Sequence, residues 1–302
     1  MLTGAVVHAG WNLLLAGARD SEAAGAIALA SGTLVFTPVA LVTWDVRAAA
    51  WPYVAASAAL ELTYFILLGR AYHRAELSLV YPIARGSAPV LVLVASAVAG
   101  TALSAWRVAG ILLVAGGIVA VRGLGGDVHR RDLALALGVG GAIAAYTLVD
   151  KQGLKHAGPL SYLWAVNGAA ALAYLPLLAW GRGSRASALL AWAGGGRGRS
   201  RSLVAGNRRA AALRARLRSG FGVLRAAIAA RSVAAGIGVF GAYALTLAAL
   251  ARAPAAPISA LRETGVLFAT AFGAVVLHER VGPTRAAGAF AVVAGIVLTA
   301  LG

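Results

Sequence analysis

The chain has 302 residues, 60% of them apolar, and a mean hydropathy of +0.81. Soluble domains hold roughly 45–50% apolar residues. Here the excess runs along the whole length, which excludes an ordinary soluble domain and indicates an integral membrane protein. The net charge of +17 is local: twelve of the 27 Lys and Arg lie between Arg182 and Arg231 with no acid among them, leaving +5 for the rest. It therefore describes one segment and not a nucleic-acid-binding surface. Cysteine is absent, which excludes disulfides and thiolate chemistry.

A transmembrane helix needs about 20 apolar residues, and ten candidates follow in order. They are Leu2–Ala18, Ala23–Trp44, Trp51–Tyr72, Leu77–Gly100, Ala105–Val121, Leu133–Val149, Leu160–Trp180, Ala226–Ala251, Pro257–Leu277 and Pro283–Leu301. The first lacks a basic leader and continues into Trp11-Asn12, so it reads as a membrane helix and not a signal peptide. Turn and charge signals such as Arg19-Asp20-Ser21, Asp45-Val-Arg47 and Glu279-Arg280-Val-Gly-Pro283 mark the junctions. The loops are short, which leaves little material for a separate catalytic domain.

Two arginines lie inside these apolar stretches: Arg85 in Leu79-Val-Tyr-Pro-Ile-Ala-Arg85-Gly-Ser-Ala-Pro-Val-Leu91, and Arg262 in Ala256-Pro-Ile-Ser-Ala-Leu-Arg262-Glu-Thr-Gly-Val-Leu-Phe268. A charge at membrane depth is costly and usually faces a cavity or a partner. Their settings repeat. Trp106-Arg-Val-Ala-Gly110 with Gly117 parallels Thr284-Arg-Ala-Ala-Gly288 with Gly295. Arg85 precedes Gly110 by 25 residues and Arg262 precedes Gly288 by 26; Tyr64 and Tyr243 precede the arginines by 21 and 19. Five helices per unit is an odd number, so the second unit enters the bilayer from the opposite side. The expected fold is an all-α polytopic membrane protein of ten transmembrane helices in an inverted five-plus-five repeat, with units at residues 1–122 and 132–302. The glycine pairs read as close helix contacts.

A basic low-complexity insert is expected at about residues 181–225. Gly194 to Arg201 is rich in Gly, Arg and Ser; Asn207 to Arg218 suits a short basic helix on anionic headgroups, or a solvated loop. No aromatic residue interleaves with the arginines from Arg197 to Arg218, so no nucleic-acid role is expected.

Arg85 either presents a positive charge to a substrate or pairs with Glu61. Arg262 and Glu263 are adjacent, and neighbours on a helix point about 100° apart, so they are not expected to serve one partner. Glu263 reads as a structural pair or as a protonatable group. Glu61 shares a face with Tyr64 and is the leading carboxylate for proton coupling, or else a partner for Arg85. His8, Trp11 and Asn12 share a face of the first helix, suited to a small polar metabolite or to helix packing. Tyr146 and Asp150 share a face of the sixth helix, but Asp150-Lys151 sits near its end and reads as interfacial. Trp164 with Asn167, and Tyr243, are weaker cavity candidates. His278-Glu279-Arg280 lacks the second histidine of a zinc-protease motif, and no nucleophile elbow or Walker A loop is present. No enzyme activity, cofactor or metal site is expected.

His8-Ala-Gly-Trp-Asn12 resembles the opening motif of the EamA branch of the drug/metabolite transporter superfamily. Tyr81-Pro-Ile-Ala-Arg-Gly-Ser-Ala-Pro89 is similar to its fourth-helix motif. Ala253-Pro254, Leu261-Arg-Glu-Thr264, Leu277-His-Glu-Arg280 and Ala287-Gly288 are similar to its ninth and tenth helices. The resemblance spans nearly the whole chain except the insert, which departs from the family's short connection. It implies a multi-pass transporter of the inner or plasma membrane, two EamA domains around a central cavity, cytoplasmic termini, and export of small metabolites such as amino acids. Loop charges point the other way: Lys and Arg concentrate after the first, third, fifth, seventh and ninth helices, which places the termini outside.

The expected function is secondary transport of a small-molecule substrate by alternating access, without ATP and with protons as possible coupling ions. Candidate substrate or gating residues are Arg85, Arg262, Trp11, Asn12, Tyr81, Tyr64 and Tyr243; coupling candidates are Glu61, Glu263 and His8. The rival readings are a lipid-linked carrier translocase and a non-transporting membrane scaffold.

Overall fold

The computed structural model describes residues 2–16, 18, 20–74, 77–102, 104–122, 130–193, 222, 228–265 and 282–301. Among these the fold is helical: α1 Leu2–Ala16, α2 Ser21–Val42, a 3-10 turn Ala48–Ala50, α3 Trp51–Arg74, α4 Leu77–Val98, α5 Ala105–Arg122, α6 Arg130–Gly153, α7 Pro159–Ala193, α8 Ala230–Arg252, α9 Ala255–Arg262 and α10 Pro283–Leu301. Five described segments are long and apolar enough to cross a membrane: Glu22–Val42, Ala48–Ala71, Arg130–Gly153, Pro159–Trp180 and Ala230–Arg252. Shorter apolar helical stretches cover Ile83–Val98, Ala105–Ala120 and Ala287–Thr299. The core of the insert, Gly194 to Arg218, and His278-Glu279-Arg280 lie outside the described residues.

Two boundaries differ from the sequence reading. The seventh helix runs on past Trp180 to Ala193. Its continuation, Ala-Ser-Ala-Leu-Leu-Ala-Trp-Ala, is strong helix former, and that propensity outweighs the turn signal at Gly181-Arg-Gly. The ninth helix, expected to run unbroken from Pro257, stops at Arg262. Glu263 is its C-cap and donates its backbone N–H to the carbonyls of Ala260 and Leu261. Thr264 then donates its hydroxyl to Leu261 O at 3.0 Å, so the side chain satisfies a carbonyl that a further turn would use.

The packing pairs follow a rule. α1 packs on α8 as α6 packs on α3; α2 packs on α8 as α7 packs on α3; α2 pairs with α7, and α5 with α10. Glycine sets the closest approaches. A Cβ on Gly110 would lie 2.6 Å from Gly295 O, one on Gly295 2.6 Å from Gly110 O, and one on Gly117 2.8 Å from Gly288 O. At the α2–α8 crossing a Cβ on Gly32 would lie 2.5 Å from Gly236 O. The exterior carries large apolar side chains, with Leu34, Val42, Val98, Leu172 and Phe290 all more than two-thirds exposed, as a lipid-facing surface requires.

At one end of the bundle the α2–α3 and α6–α7 loops are joined. Val46 and Ala157 form a β-bridge, Arg47 N donates to His156 O at 3.0 Å, and Gly158 N donates to Asp45 O at 2.7 Å. Lys151 donates to the carbonyls of Leu250 (2.7 Å) and Ala253 (2.9 Å), placing a cation on the C-terminus of α8. Such a charge stabilises a helix end by about 0.3–1 kcal/mol.

Gly295→Ala should lower the melting temperature in detergent, because the added methyl meets backbone that cannot swing aside. The expected cost is about 1–3 kcal/mol. Gly116→Ala, which meets open space on the partner helix α5, is the control and should leave the melt unchanged.

Candidate functional site

α4 carries Arg85 into the bundle from one end, and α9 carries Arg262 in from the other. Each lies about two turns inside its helix, roughly 11–12 Å of rise, so the two guanidiniums meet at mid-depth. Both side chains are buried. Between them is Glu263: Arg85 Nη1 donates to Glu263 Oε1 at 3.3 Å, and Arg262 Nε donates to the same oxygen at 3.5 Å. The sequence reading weighs Glu61 as the partner of Arg85; the carboxylate it meets is Glu263. It also expects Arg262 and Glu263 to diverge. They share one contact all the same: Glu263 keeps a near-helical backbone (φ −75°, ψ −2°), and the two long side chains bridge the step between them, with Arg262 Nε 3.5 Å from Oε1.

One carboxylate between two guanidiniums leaves a net positive charge. Arg262 Nη2 is buried with no hydrogen-bond partner among the described residues. Its guanidinium lies 5.9 Å from the centroid of the Tyr146 ring, within cation–π range. Tyr146 also meets Tyr64 edge-on at 6.0 Å and Tyr243 edge-on at 5.7 Å. The aromatic wall of the site is thus built from α3, α6 and α8. The chemistry of the site is a basic group against tyrosine faces, of the kind that takes a carboxylate or phosphate with an adjacent apolar body.

His8 of α1 borders the segment after α9: a Cβ on Gly265 would lie 3.8 Å from His8 Cδ2. Trp11 Nε1 donates to His8 Nδ1 at 3.2 Å, with the rings edge-to-face at 4.8 Å. Trp11 itself is buried against Gly238 of α8, among Leu15, Ala24, Ala28, Ala235 and Ala242. It is thereby placed in the α1–α8 packing layer. Trp164 Nε1 donates to Thr37 Oγ1 at 3.0 Å and links α7 to α2. Asn12 and Tyr81 are on α1 and α4, and their side chains lie outside the described set.

Asp150 is the residue that sequence reasoning placed wrongly. It is fully buried and not interfacial. Ser57 Oγ donates to Asp150 Oδ1 at 2.5 Å, Tyr162 OH to the same oxygen at 3.1 Å, and Tyr243 OH to Oδ2. The signal was present in part: Ser57 lies one turn before Glu61 on the same face of α3. Proximity of the α6 end to Tyr162 and Tyr243 required the tertiary fold. Glu61 is buried too, and its Oε2 has no hydrogen-bond partner among the described residues.

Residues 210–301 match the model of the EamA-like transporter family. No curated protein sequence matches the chain. One solved crystal structure superposes over 99% of this chain and 94% of its own length with a TM-score of 0.64 at 15% identity, a likeness of fold.

Glu263→Gln should destabilise the folded protein by about 3–5 kcal/mol, because it removes the carboxylate that two buried guanidiniums share. The loss is read by thermal unfolding in detergent. Adding Arg85→Ala to that variant should recover part of it, since the repulsion between the two guanidiniums is then gone.

Proposed function

We propose that this integral membrane protein, with an EamA-like transporter domain at residues 210–301, is a secondary transporter of small polar metabolites. It works by alternating access around the arginine site and without nucleotide hydrolysis. The observation that carries the reading is the convergence of Arg85 and Arg262 from opposite ends of the bundle on a single carboxylate. The arrangement leaves one buried N–H group of Arg262 unsatisfied. A structural ion pair needs one cation; a second, partly unpaired one suits an anionic group on a ligand.

The packing pairs support an inverted five-plus-five repeat. Exchanging each helix of the first half with its counterpart five further along turns α1–α8 into α6–α3 and α2–α8 into α7–α3, and leaves α2–α7 and α5–α10 unchanged. That is the pattern of two units related by a two-fold axis. The substrates we assign are amino acids or related compounds carrying a carboxylate, exported across the inner or plasma membrane. Of the three coupling candidates we assign Glu61 to protons, because Glu263 is held by two arginines and His8 accepts from Trp11. The basic insert is assigned to anionic lipid headgroups.

Arg85→Ala should still insert in the membrane and should reduce transport into vesicles by about tenfold or more, the value of one charge-assisted contact. Normal transport in that variant removes Arg85 from the mechanism. A metabolite screen by thermal shift names the substrate: a true ligand at 100 times its Kd stabilises by about 2.7 kcal/mol. The same ligand should leave the melt of the folded Arg85→Ala protein unmoved.

A further inference from the structure

Asp150 joins four helices. Its carboxylate receives hydroxyls from Ser57 of α3, Tyr162 of α7 and Tyr243 of α8, while it stands itself on α6. α3 belongs to the first half of the chain and the other three to the second. One turn along α3 from Ser57, on the same face, Glu61 is buried, its Oε2 without a hydrogen-bond partner among the described residues, close enough that the charges of Glu61 and Asp150 act on each other. The surrounding groups are few. Tyr146 faces the pair from α6; Ser57, Tyr162 and Tyr243 contribute hydroxyls; Arg262 of α9 acts on Asp150 from a distance. Arg85 of α4 acts on Tyr146 and is engaged with Glu263. Among the described residues neither Asp150 nor Glu61 has a salt-bridge partner.

Two neighbouring buried carboxylates with no cation in contact among the described residues cannot both keep their charge cheaply. We propose that Asp150 and Glu61 form a proton-binding pair, and that the arriving proton loosens the hydroxyl grip by which Asp150 holds α3, α7 and α8 together. The proton adds to a carboxylate oxygen as an O–H, and no other covalent bond forms or breaks. An ionised carboxylate is an acceptor only, matched to three donors. A carboxylic acid adds a donor of its own and accepts more weakly, so the three hydroxyls lose their common anchor. The α2–α3 and α6–α7 loops stay tied by the Val46–Ala157 bridge. Lys151 still holds the last carbonyls of α8, so the part freed to move is the stretch of α8 around Tyr243, whose hold on the cluster is that hydroxyl. The inference rests on the transporter reading for its consequence, the opening of one face, and its test contains no substrate.

The full chain is reconstituted in liposomes, and infrared difference spectra are taken between neutral and mildly acidic buffer. Acid should produce a carboxylic C=O band in the wild type that is lost in Asp150→Asn or in Glu61→Gln. Since the chain has no cysteine, Ala49→Cys and Leu245→Cys provide unique sites for nitroxide labels on the two sides of the cluster. Their separation should lengthen in acid. Tyr243→Phe, which keeps both carboxylates, should show part of the longer population already at neutral pH. A band unchanged by both carboxylate variants, or a wild-type separation that ignores pH, overturns the proposal. Where Asp150→Asn fails to fold, Glu61→Gln and Tyr243→Phe carry the test. A chain that gave the band and the shift but moved no solute in any uptake assay would refute the transporter reading and leave the proton pair standing.

Discussion

Charge buried among apolar helices must find its counter-charge or its hydrogen bonds within the bundle, because neither lipid nor a dry core supplies them. Five ionisable groups face that constraint here, and they separate by sign. Arg85 and Arg262 share the one carboxylate of Glu263. Asp150 is met by three hydroxyls, Glu61 Oε2 has no hydrogen-bond partner, and neither carboxylate has a cation in contact among the described residues. Tyr146 stands between the two, its ring under Arg262 and its edges against Tyr64 and Tyr243. The interior is thus polarised along a line of tyrosines. That arrangement costs more than a single neutral pair would, and it matches a ligand carrying charge better than it matches a packing role.

The backbone makes the meeting of these charges possible. α5 and α10 cross at glycines close enough that no Cβ fits, and α2 and α8 do the same. α9 ends after two turns, and its C-cap residue is Glu263, whose backbone stays near helical values (φ −75°, ψ −2°). The carboxylate therefore stands at the end of α9, at a point that both Arg262 and Arg85 reach.

Arg85, Arg262 and the paired glycines were legible in the sequence, because each is an exception to its surroundings: a charge in an apolar run, or a repeated small residue at fixed spacing. The position of Asp150 was not. Read along the chain it stands beside Lys151 near the end of a span, which is the ordinary place for an interfacial pair. The structure divides the two neighbours. Lys151 turns to the last carbonyls of α8, and Asp150 turns inward to three hydroxyls. Nothing in linear spacing tells which way each points, since Ser57 and Tyr243 are each 93 residues away. The end of α9 was hidden for a related reason. Leu261 to Thr264 has no glycine or proline to mark a stop, and the hydroxyl of Thr264 that returns to Leu261 O there has counterparts inside continuing helices, such as Ser31 to Ala28 O.

Several contacts across the bundle join the two halves of the chain. Arg85 meets Glu263, Ser57 meets Asp150, Thr37 meets Trp164, and Gly110 packs on Gly295, whereas Tyr162 and Tyr243 meet Asp150 within the second half. A contact within a half survives any rigid motion of that half, whereas a contact between halves survives only if the two stay in register. The side-chain bonds between halves therefore lie where relative motion would be felt. The glycine crossing offers backbone at van der Waals distance and no directional bond, so it can act as a bearing. The arginine–glutamate and serine–aspartate contacts are directional and break discretely. The bundle is thus held by close backbone contact where α5 crosses α10 and by directional polar contacts at the arginine and aspartate clusters.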